Sequence, residues 1–575
     1  MSVSTFDREA LAPRLRPSWK RLQVLTPAPA PARVASRWTP KAPELERLLT
    51  FVLPFLTYVW IGQRIASAGL VPGDALTRTA NASATLLSRD PHLEALGFVW
   101  SPVPALVQIP LIPLGRLWRP IISEGMGAVI VSAFFTAWML TAVRRWLVDA
   151  EVKRWTRVAL VALLALHPLV LLSASNGMSE SALICFLALT ALHLSRWFDR
   201  GKTIDLVRTG VAVALAYLCR YEAAGAVVAV VAVVGAVAHR RAKALQRPPW
   251  ADVRLRVAVV GIPPFAAVAT WAFVSWAIVG EPFGHFTSKY GNAEQVVAGR
   301  AGIEAAAGAV SGLPRATYFG LQLLAFGAVA MLAALVLMWW GTRGALRLAA
   351  ATAALGAPLG FQLASAVAGS TFPMARFVIC VAPLAVMLVG CAVVNLAERG
   401  IKAAPALFVL ATAMATLLAI VMVRDARYET DDEAAQLSAV PWPYGLTAHR
   451  PSGTILTLGR QIAHDIDALD PGHGEVLVDE ATAGSMAVVL NAADQRDYII
   501  DSDRDFERAV ADPGTWGVRY LLIPDPAHAG FDALNDQYPR LFVDGAGISH
   551  LVSEWHGATN VDYRLYELDA GQRVR

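Results

Sequence analysis

Long apolar runs are the feature of this sequence that most restricts its fold. A helix needs about 20 apolar residues to cross about 30 Å of hydrocarbon, and runs of this kind recur from Leu48 to Val423. Because unpaired backbone groups are costly in lipid, such runs must be helical. They predict a multi-pass α-helical membrane protein with about eleven transmembrane helices, at residues 48–70, 121–143, 156–174, 181–198, 205–221, 223–239, 255–279, 316–340, 345–366, 377–397 and 403–423.

The composition agrees with a membrane protein and argues against a nucleic-acid partner. Hydrophobic residues make up 55% of the 575 residues and charged residues 17%, whereas soluble domains carry about 25% charged residues. The net charge is +5, but the basic residues fall in short clusters between apolar runs, as they do in loops that orient spans. All four cysteines lie inside apolar segments, so no disulfide framework is predicted; they are Cys185, Cys219, Cys380 and Cys391.

The basic clusters also predict an orientation. Alternate loops carry RRWLVDAEVKRWTR, SRWFDRGK, HRRAKALQR, TRGALR and ERGIK, on the same side as the Arg-rich N-terminus, and positive loops stay in the cytoplasm. An odd number of spans then places the C-terminal part outside. The opposite loops are richer in acids, aromatic residues, Gly and Asn, so we expect any chemistry on the outer face of the membrane.

Three parts follow from these patterns. Residues 1–46, which include TPAPAPARVASRWTPK, are predicted to be a disordered basic cytoplasmic tail. Residues 47–423 form the transmembrane domain, in which the four prolines of segment 101–118 predict a re-entrant or interfacial stretch. Residues 424–575 read as a small extracytoplasmic α/β domain, because strand-like EVLVD, DYIID and RYLLIP alternate with helix-like stretches.

The sheet of this outer domain is predicted to be largely parallel. Its sequence shows no Gly-rich nucleotide loop and no clustered metal-ligand spacing. The segment HDIDALDPGHGE contains two His and several acids, but acids at helix spacing are more often a solvated face than a metal site. A binding or docking role is favoured over catalysis.

Asp74 stands out because it follows directly on the first apolar run, in LVPGDALTRTANA. One reading is structural, since Asp is a favoured helix cap and Arg78 lies four residues on, where it can form an ion pair. The other reading is chemical, since a carboxylate at the outer leaflet can take a proton from an acceptor hydroxyl. Spacing alone leaves both readings open.

Further ionisable residues are expected at the outer ends of the spans, where burial makes charge costly. Glu180 lies in SNGMSE, and Arg220 and Glu222 lie in CRYEA. They could form a structural bridge, or the arginine could hold a lipid phosphate in bidentate fashion. Arg376, in STFPMARF, could snorkel to head groups or bind phosphate.

These features occur in an order that resembles a known superfamily. An acid follows the first span in Gly73-Asp74, the proline-broken FVWSPVPALVQIPLIPLG leads into the second, and SNGMSESALICFLALTALHLSRWF, LAYLCRYEAA, GEPFGHF and MARFVICVAPLAVML come later. In this the chain is similar to the GT-C superfamily of integral-membrane glycosyltransferases, in the broad group of bacterial protein-O-mannosyltransferase and lipid A aminoarabinose transferase relatives. The resemblance covers roughly residues 48–423, and many members add a soluble outer domain.

The resemblance implies an activity and a set of site residues. Members take a sugar from a polyprenyl-phosphate donor in the outer leaflet and pass it, usually with inversion, to a glycan, lipid or protein acceptor. Many relatives carry two adjacent acids in the first loop, whereas Asp74 is followed by Ala75, so neither a metal nor a cofactor other than the donor substrate is predicted. The implied residues are Asp74 as general base and Arg376 at the donor phosphate, with Arg220 and Lys289 as further matches there. From their position on the same face we also predict a set of substrate-binding residues: Arg78, Glu180, Glu222, His285 and Tyr290.

Two other classes of function stay open at this point. A transporter or flippase of a lipid-linked substrate is disfavoured, because the sequence shows no internal repeat and the charged residues gather at one face rather than at the midplane. A non-catalytic membrane scaffold with a glycan-binding outer domain would keep its function when Asp74 is replaced by Asn.

Overall fold

The chain folds into a helical membrane domain and a smaller sheet-containing domain that sits on one end of it. This architecture comes from a computed structural model. It describes residues 41–97, 100–283, 315–340, 344–371, 374–425, 433–441, 443–445, 454–527, 531–557 and 561–569.

Helices dominate the part of the chain that precedes residue 424. The helices up to the last apolar one are α1 (Lys41–Ser67), α2 (Gly73–Leu87), α3 (Val103–Leu106), α4 (Pro120–Ser123), α5 (Met126–Asp149), α6 (Arg154–Ala165), α7 (Pro168–Ser175), α8 (Glu180–Arg200), α9 (Thr203–Tyr217), α10 (Ala224–Ala244), α11 (Pro249–Val279), α12 (Arg315–Trp340), α13 (Ala345–Ala351), α14 (Ala357–Ala368), α15 (Val381–Glu398) and α16 (Ala404–Val423). A single π-turn, Thr352–Gly356, joins α13 to α14 into one continuous span.

Among the described residues, nine helices are long and apolar enough to cross a membrane, and a bent pair raises the number to ten. The pair is α6 and α7, which meet at an angle of 60°. The bend has a local cause, because Pro168 disfavours helical backbone at the preceding residue, and His167 is extended at φ −64° and ψ 128°. The multi-span fold class is thereby confirmed, while the number eleven is not.

The remaining difference lies in α9. This helix has 15 residues, about 22 Å of helix, which is short for a span. It ends at Tyr217, and a 3₁₀ turn, Tyr221–Ala223, leads directly into α10. The predicted span at 205–221 is therefore a shorter helix whose end carries charged residues buried within the protein.

The predicted boundary of the N-terminal tail is wrong at its end. Helix α1 already begins at Lys41, so residues 41–46 are helical rather than disordered. The Glu46 carboxylate accepts hydrogen bonds from Arg157 and Arg144, and these partners fix the first turns of α1. Residues 1–40 lie outside the described part of the chain.

The proline-rich segment after α2 does not span the membrane. It breaks into α3, a 3₁₀ stretch at Ile109–Arg116 and α4. Its buried Gln108 accepts a hydrogen bond from the Thr79 hydroxyl at 3.1 Å and donates to the Pro104 carbonyl at 3.1 Å. The segment thus packs against α2.

The outer domain contains one five-stranded sheet of order β2-β1-β3-β5-β4. The first three strands along the chain are parallel neighbours, but β5 runs antiparallel to both β3 and β4, so the prediction of a largely parallel sheet is wrong for the C-terminal hairpin. The strands are β1 (Val476–Leu477), β2 (Tyr498–Ile499), β3 (Tyr520–Pro524), β4 (Ser549–Trp555) and β5 (Tyr563–Leu568), and the helices are α17 (Glu433–Ala439), α18 (Ile455–Asp467), α19 (Ala483–Asn491), α20 (Phe506–Ala511), α21 (Ala533–Gln537) and α22 (Leu541–Asp544).

Helix α2 lies between the two domains. Its Ala75, Leu76 and Ala80 share an apolar cluster with Leu456 and Ala487 of the outer domain. Polar contacts extend this interface: the Ser83 hydroxyl donates to Gln495 at 2.8 Å, Arg89 pairs with Asp503 and Asp505, and Arg504 pairs with Asp90. The outer domain therefore holds one side of the helix that carries Asp74.

The close crossing of α18 and α19 gives a stability prediction. A Cβ at Gly459 would lie 2.6 Å from the Ala487 Cβ and 2.9 Å from its carbonyl carbon, and backbone cannot yield as a flexible side chain can. Gly459→Ala should destabilise the outer domain by about 1–3 kcal/mol. The loss of stability is measured by thermal unfolding of the full chain, with proteolysis of the outer domain as the readout. Gln461→Ala, on the exposed side of the same helix, is the control and should change little; equal effects of the two variants would contradict the packing argument.

The buried Asp532 predicts a pH dependence. Burial raises the pKa of this carboxyl to about 7. The negative charge of Asp479 also raises the pKa, whereas the hydrogen bond from the Asn535 amide lowers it. The folded domain therefore holds a proton that the unfolded chain, with an Asp pKa of about 3.9, has lost. Stability should fall as the pH rises from about 4 to about 7.

The apparent melting temperature of the outer domain should accordingly be lower at pH 8 than at pH 5, by about 5–10 °C, because the proton is worth about 2–3 kcal/mol over this range. Asp532→Asn removes the titrating group and keeps a residue favoured at the start of a helix. This variant should show a weaker dependence over the same range. A dependence of unchanged size would assign it to other groups.

Candidate functional site: a buried ion-pair network beside Asp74

A network of ion pairs lies at the end of the membrane domain that faces the outer domain. It joins side chains from four separate elements: α2, the start of α8, the turn before α10 and a 3₁₀ turn at Ala375–Val378. Arg376 donates from Nη1 to the Asp74 Oδ2 at 3.2 Å. Residues 302 positions apart in the sequence thus form one site.

Glu180 lies at the centre of the network. Its Oε1 accepts from the Arg220 Nη1 at 2.8 Å and lies 3.9 Å from the Arg376 Nε. The residue is 1% exposed and is the first residue of α8, where the N-terminal end of a helix favours a negative charge. Helix α8 therefore starts at a carboxylate that both cations share.

Arg220 extends the network to a second carboxylate. Its Nε donates to the Glu222 Oε1 at 2.8 Å. The other Glu222 oxygen accepts from the Gln362 side chain at 3.1 Å, and the Gln362 oxygen accepts from the Thr371 hydroxyl at 3.1 Å. This chain of hydrogen bonds fixes the orientation of the Arg220 guanidinium, because both carboxylate oxygens of its partner Glu222 accept hydrogen bonds.

The predicted helix cap at Asp74 is wrong. The residue before α2 is Pro72, and Asp74 is the second residue of the helix. Arg78, which is 3% exposed, donates to the backbone carbonyl of Asp74 at 2.9 Å and lies 5.2 Å from the centre of the Trp100 ring. The Asp74 carboxylate is directed to Arg376 instead.

Among the described residues, the network pairs equal numbers of cations and carboxylates, and one further carboxylate, Glu433, lines the cavity beside it. Three guanidinium groups, of Arg78, Arg220 and Arg376, face the carboxylates of Asp74, Glu180 and Glu222. Partial burial raises the pKa of the Asp74 carboxyl, but Arg376, Arg78 and Arg220 outweigh that effect and hold the pKa below its usual range. Asp74 is therefore an ionised acceptor when the site holds these six groups alone.

An aromatic ring and a small cavity border the network. The Phe377 ring centre lies 5.3 Å from the Arg220 guanidinium carbon and 5.5 Å from that of Arg376, at a distance typical of cation–π contacts. The cavity has a volume of about 20 Å³, enough for a water molecule. It is lined by Pro72, Leu169, Leu172, Ser173, Asn176, Met178, Glu180, Arg376, Glu433 and Gln436.

Several of these lining residues were not predicted. Asn176 donates to the Gln436 side chain at 3.0 Å, and its own oxygen accepts from the Met178 amide at 3.2 Å. Asn176 lies in the SNGMSE motif, so its position next to Glu180 was a signal that could have found it. Gln436 and Glu433 belong to α17, which follows the last apolar helix, and no pattern in that segment distinguishes them.

The structure brings together six of the predicted site residues and leaves three untested. Asp74, Arg78, Glu180, Arg220, Glu222 and Arg376 form the network described above. Their roles in binding and catalysis stay predictions. Lys289, His285 and Tyr290 fall within residues 284–314 and lie outside the described part of the chain.

The expectation of no clustered metal-ligand spacing in the outer domain needs a correction. Ligand atoms of His473, Asp494 and Asp497 lie within 4.8 Å of one another. His473 comes from the HDIDALDPGHGE segment, and the two acids come from the stretch before β2. This group is solvent-accessible, and Asp494 also pairs with Arg496, so it is a separate surface feature of the outer domain.

Fold and network together define a multi-span integral-membrane protein with a charged site at one end of its helical domain. Residues 121–271 match the family model described as dolichyl-phosphate-mannose-protein mannosyltransferase. The match falls within the residues that resemble the GT-C superfamily of integral-membrane glycosyltransferases, and it agrees with that resemblance.

Solved structures that align with most of this chain include two with a bound lipid phosphate. One is ArnT from Cupriavidus metallidurans bound to undecaprenyl phosphate, with 14% identity, coverage of 92% of this chain and 99% of that chain, and a TM-score of 0.48. The other is the oligosaccharyltransferase AglB from Archaeoglobus fulgidus in complex with an inhibitory peptide and a dolichol-phosphate, with 12% identity, coverage of 84% and 69%, and a TM-score of 0.39. No curated protein matches the sequence.

Arg220 supplies a stability prediction for the network. Arg220→Gln leaves the buried Glu180 and Glu222 without their shared cation, which should cost about 3–5 kcal/mol of folding stability. The thermal unfolding midpoint of the full chain in detergent measures the loss. Adding Glu222→Gln to Arg220→Gln should recover part of it, because one unpaired buried charge is removed.

A matched control is available in an exposed pair. Arg256 and Asp252 pair at 3.4 Å within one helix, with side chains 26% and 35% exposed. Arg256→Gln should cost at most about 0.5 kcal/mol. If Arg220→Gln were as mild as this control, the network would not hold the helices together.

Proposed function

We propose that this protein transfers a sugar from a polyprenyl-phosphate donor to an acceptor hydroxyl on the outer face of a bacterial inner membrane. Asp74 acts as the general base, and Arg376 and Arg220 stabilise the departing phosphate. The observation that carries the proposal is the contact between Asp74 and Arg376 at 3.2 Å. It places a proton acceptor and a cation for phosphate in one partly buried site.

The reaction needs both groups at once. The bond between the anomeric carbon of the sugar and the phosphate oxygen breaks, and a bond from that carbon to the acceptor oxygen forms. The acceptor proton passes to Asp74, and the polyprenyl phosphate leaves with the bonding electrons. Fixed cations lower the energy of this developing charge far more in a site shielded from water than in bulk water. Attack from the side opposite to the phosphate gives inversion.

The Asp74–Arg376 pair also explains how a weak base is made effective. While Arg376 faces Asp74, the low pKa of that carboxyl limits its tendency to accept a proton. A donor phosphate bound to Arg376 competes for the guanidinium and brings a negative charge close to Asp74. Both changes raise the pKa of the carboxyl, so Asp74 becomes a stronger base when the donor is in place.

The setting of the site agrees with a lipid-linked donor. Asp74 comes shortly after the end of α1, so we expect the site near the level where a lipid phosphate meets the hydrocarbon. Helix α2 continues from the site to the outer domain, which offers a surface for a glycan, lipid or protein acceptor. The basic loops of the sequence favour an orientation in which this end lies outside the cytoplasm.

The central test replaces the base. Asp74→Asn keeps the size and one acceptor oxygen but removes the charge, so turnover should fall by about 100-fold or more, while donor binding through the cations is retained. Purified protein is incubated with a panel of polyprenyl-phosphate sugars, and release of polyprenyl phosphate is followed. Asp90→Asn is the matched control, since Asp90 is the next acid along the chain and pairs with Arg504.

Three outcomes would contradict the proposal. Asp74→Asn could turn over as fast as the wild type, or the wild type could consume none of the donors. Movement of a lipid-linked sugar across vesicles without a new glycosidic bond would identify a transporter instead.

A further inference from the structure

A second cluster of charges lies at the opposite end of α1 from Asp74. Glu46 is surrounded by three arginines from the end of α5 and the start of α6. Arg157 Nη2 lies 2.9 Å from the Glu46 Oε1, Arg144 Nη1 lies 3.3 Å from the same oxygen, and Arg154 Nε lies 3.3 Å from Oε2. The proposed sugar transfer uses none of these residues.

This cluster, unlike the network at Asp74, is not neutral. One carboxylate faces three guanidinium groups, so two positive charges are in excess. The Arg154 side chain is 48% exposed and can reach a ligand in the head-group region. Arg144 is 8% exposed, and its Nε is buried without a hydrogen-bond partner among the described residues.

An apolar groove begins at the cluster and runs along α1. It lies between α1, α6 and α7 and has a volume of about 530 Å³. Arg144, Arg154 and Glu46 line one end, and the rest is mostly apolar, including Leu49, Leu53, Trp155, Val158 and Leu166. From Leu45 to Tyr58 the groove follows about 20 Å of helix, a little more than the depth of one lipid leaflet, about 15 Å.

We propose that this groove binds an anionic glycerophospholipid, with its phosphate at Arg154 and Arg144 and one acyl chain along α1. The charge decides the class of lipid. A phosphatidylglycerol brings a single negative charge to a cluster with surplus positive charge, whereas a phosphatidylcholine brings a quaternary ammonium as well. Basic pockets between membrane helices are typical sites for anionic head groups.

The N-terminal residues of the chain are a poorer occupant. Residues 1–40 carry six Arg and one Lys against one Asp and one Glu, so they share the sign of the cluster and are repelled by it. The lipid also fits the predicted topology, in which this end of α1 faces the cytoplasmic leaflet, whose surface is negative.

The test compares two lipids on the full-length protein. Protein in detergent is titrated with dioleoyl phosphatidylglycerol or dioleoyl phosphatidylcholine, and bound lipid is counted by native mass spectrometry. Wild type should prefer phosphatidylglycerol. Arg154→Gln should weaken phosphatidylglycerol binding about fivefold, as expected for the loss of one basic residue at a membrane surface, and leave phosphatidylcholine unchanged.

Arg208→Gln is the matched control. Arg208 lies near the start of α9 with a side chain that is 55% exposed, it does not line the groove, and its loss should not change lipid preference. Equal binding of the two lipids by wild type would overturn the proposal. So would equal effects of Arg154→Gln and Arg208→Gln, since general surface charge would then explain the binding.

A change at Glu46 should act in the opposite direction. Glu46→Gln increases the surplus of positive charge and should strengthen phosphatidylglycerol binding about fivefold, whereas a purely structural role for Glu46 predicts lower thermal stability without any gain in lipid preference. If that variant does not fold, Arg154→Glu decides the question, because it reverses the charge of the exposed arginine and should abolish the preference for phosphatidylglycerol.

Discussion

Charge inside a membrane protein has to be paired, and this requirement organises the end of the molecule that carries Asp74. Removing an ion from water costs several kcal/mol, and only close partners and hydrogen bonds compensate for it. Glu180 meets that requirement by contacting Arg220 and lying close to Arg376. Because each arginine comes from a different part of the chain, pairing the charges also fixes where α8 begins and where α10 and α15 approach it.

The lengths of the apolar runs and the positions of the prolines predict most of the helical part of the fold. The runs of about 20 apolar residues gave the spans correctly where the helix was straight. The number eleven stays unconfirmed: among the described residues, α6 and α7 form one span only if the pair bent by 60° is counted as one, and α9 stops after 15 residues, since length alone cannot show that a helix end is covered by protein. In the outer domain, β5 pairs antiparallel with β3, which precedes β4 in the chain, and short strand-like runs do not reveal such a non-local pairing.

The functional site likewise contains residues that the sequence could predict and contacts that it could not. The free-energy cost of burying an ionised side chain identified five candidate site residues before any geometry was known: Asp74, Glu180, Arg220, Glu222 and Arg376. The partner of Asp74 could not be read from the sequence, because the nearby Arg78 matched a helical ion pair and the distant Arg376 makes the contact. Asn176 and Gln436, which meet beside the site, are neutral, and a neutral amide costs less to bury than an ion does, so burial marks them less strongly.

Among the described residues, the cations around Asp74 do not outnumber the carboxylates, and this affects how a product leaves the site. In the proposed reaction the donor is a phosphodiester with one negative charge, and the product lipid is a phosphomonoester that carries up to two. A site with surplus cations would hold that product more tightly than the donor and would inhibit itself after each cycle. Because Asp74, Glu180 and Glu222 already occupy the three arginines, the released lipid meets competing carboxylates, and we expect product inhibition to be weak.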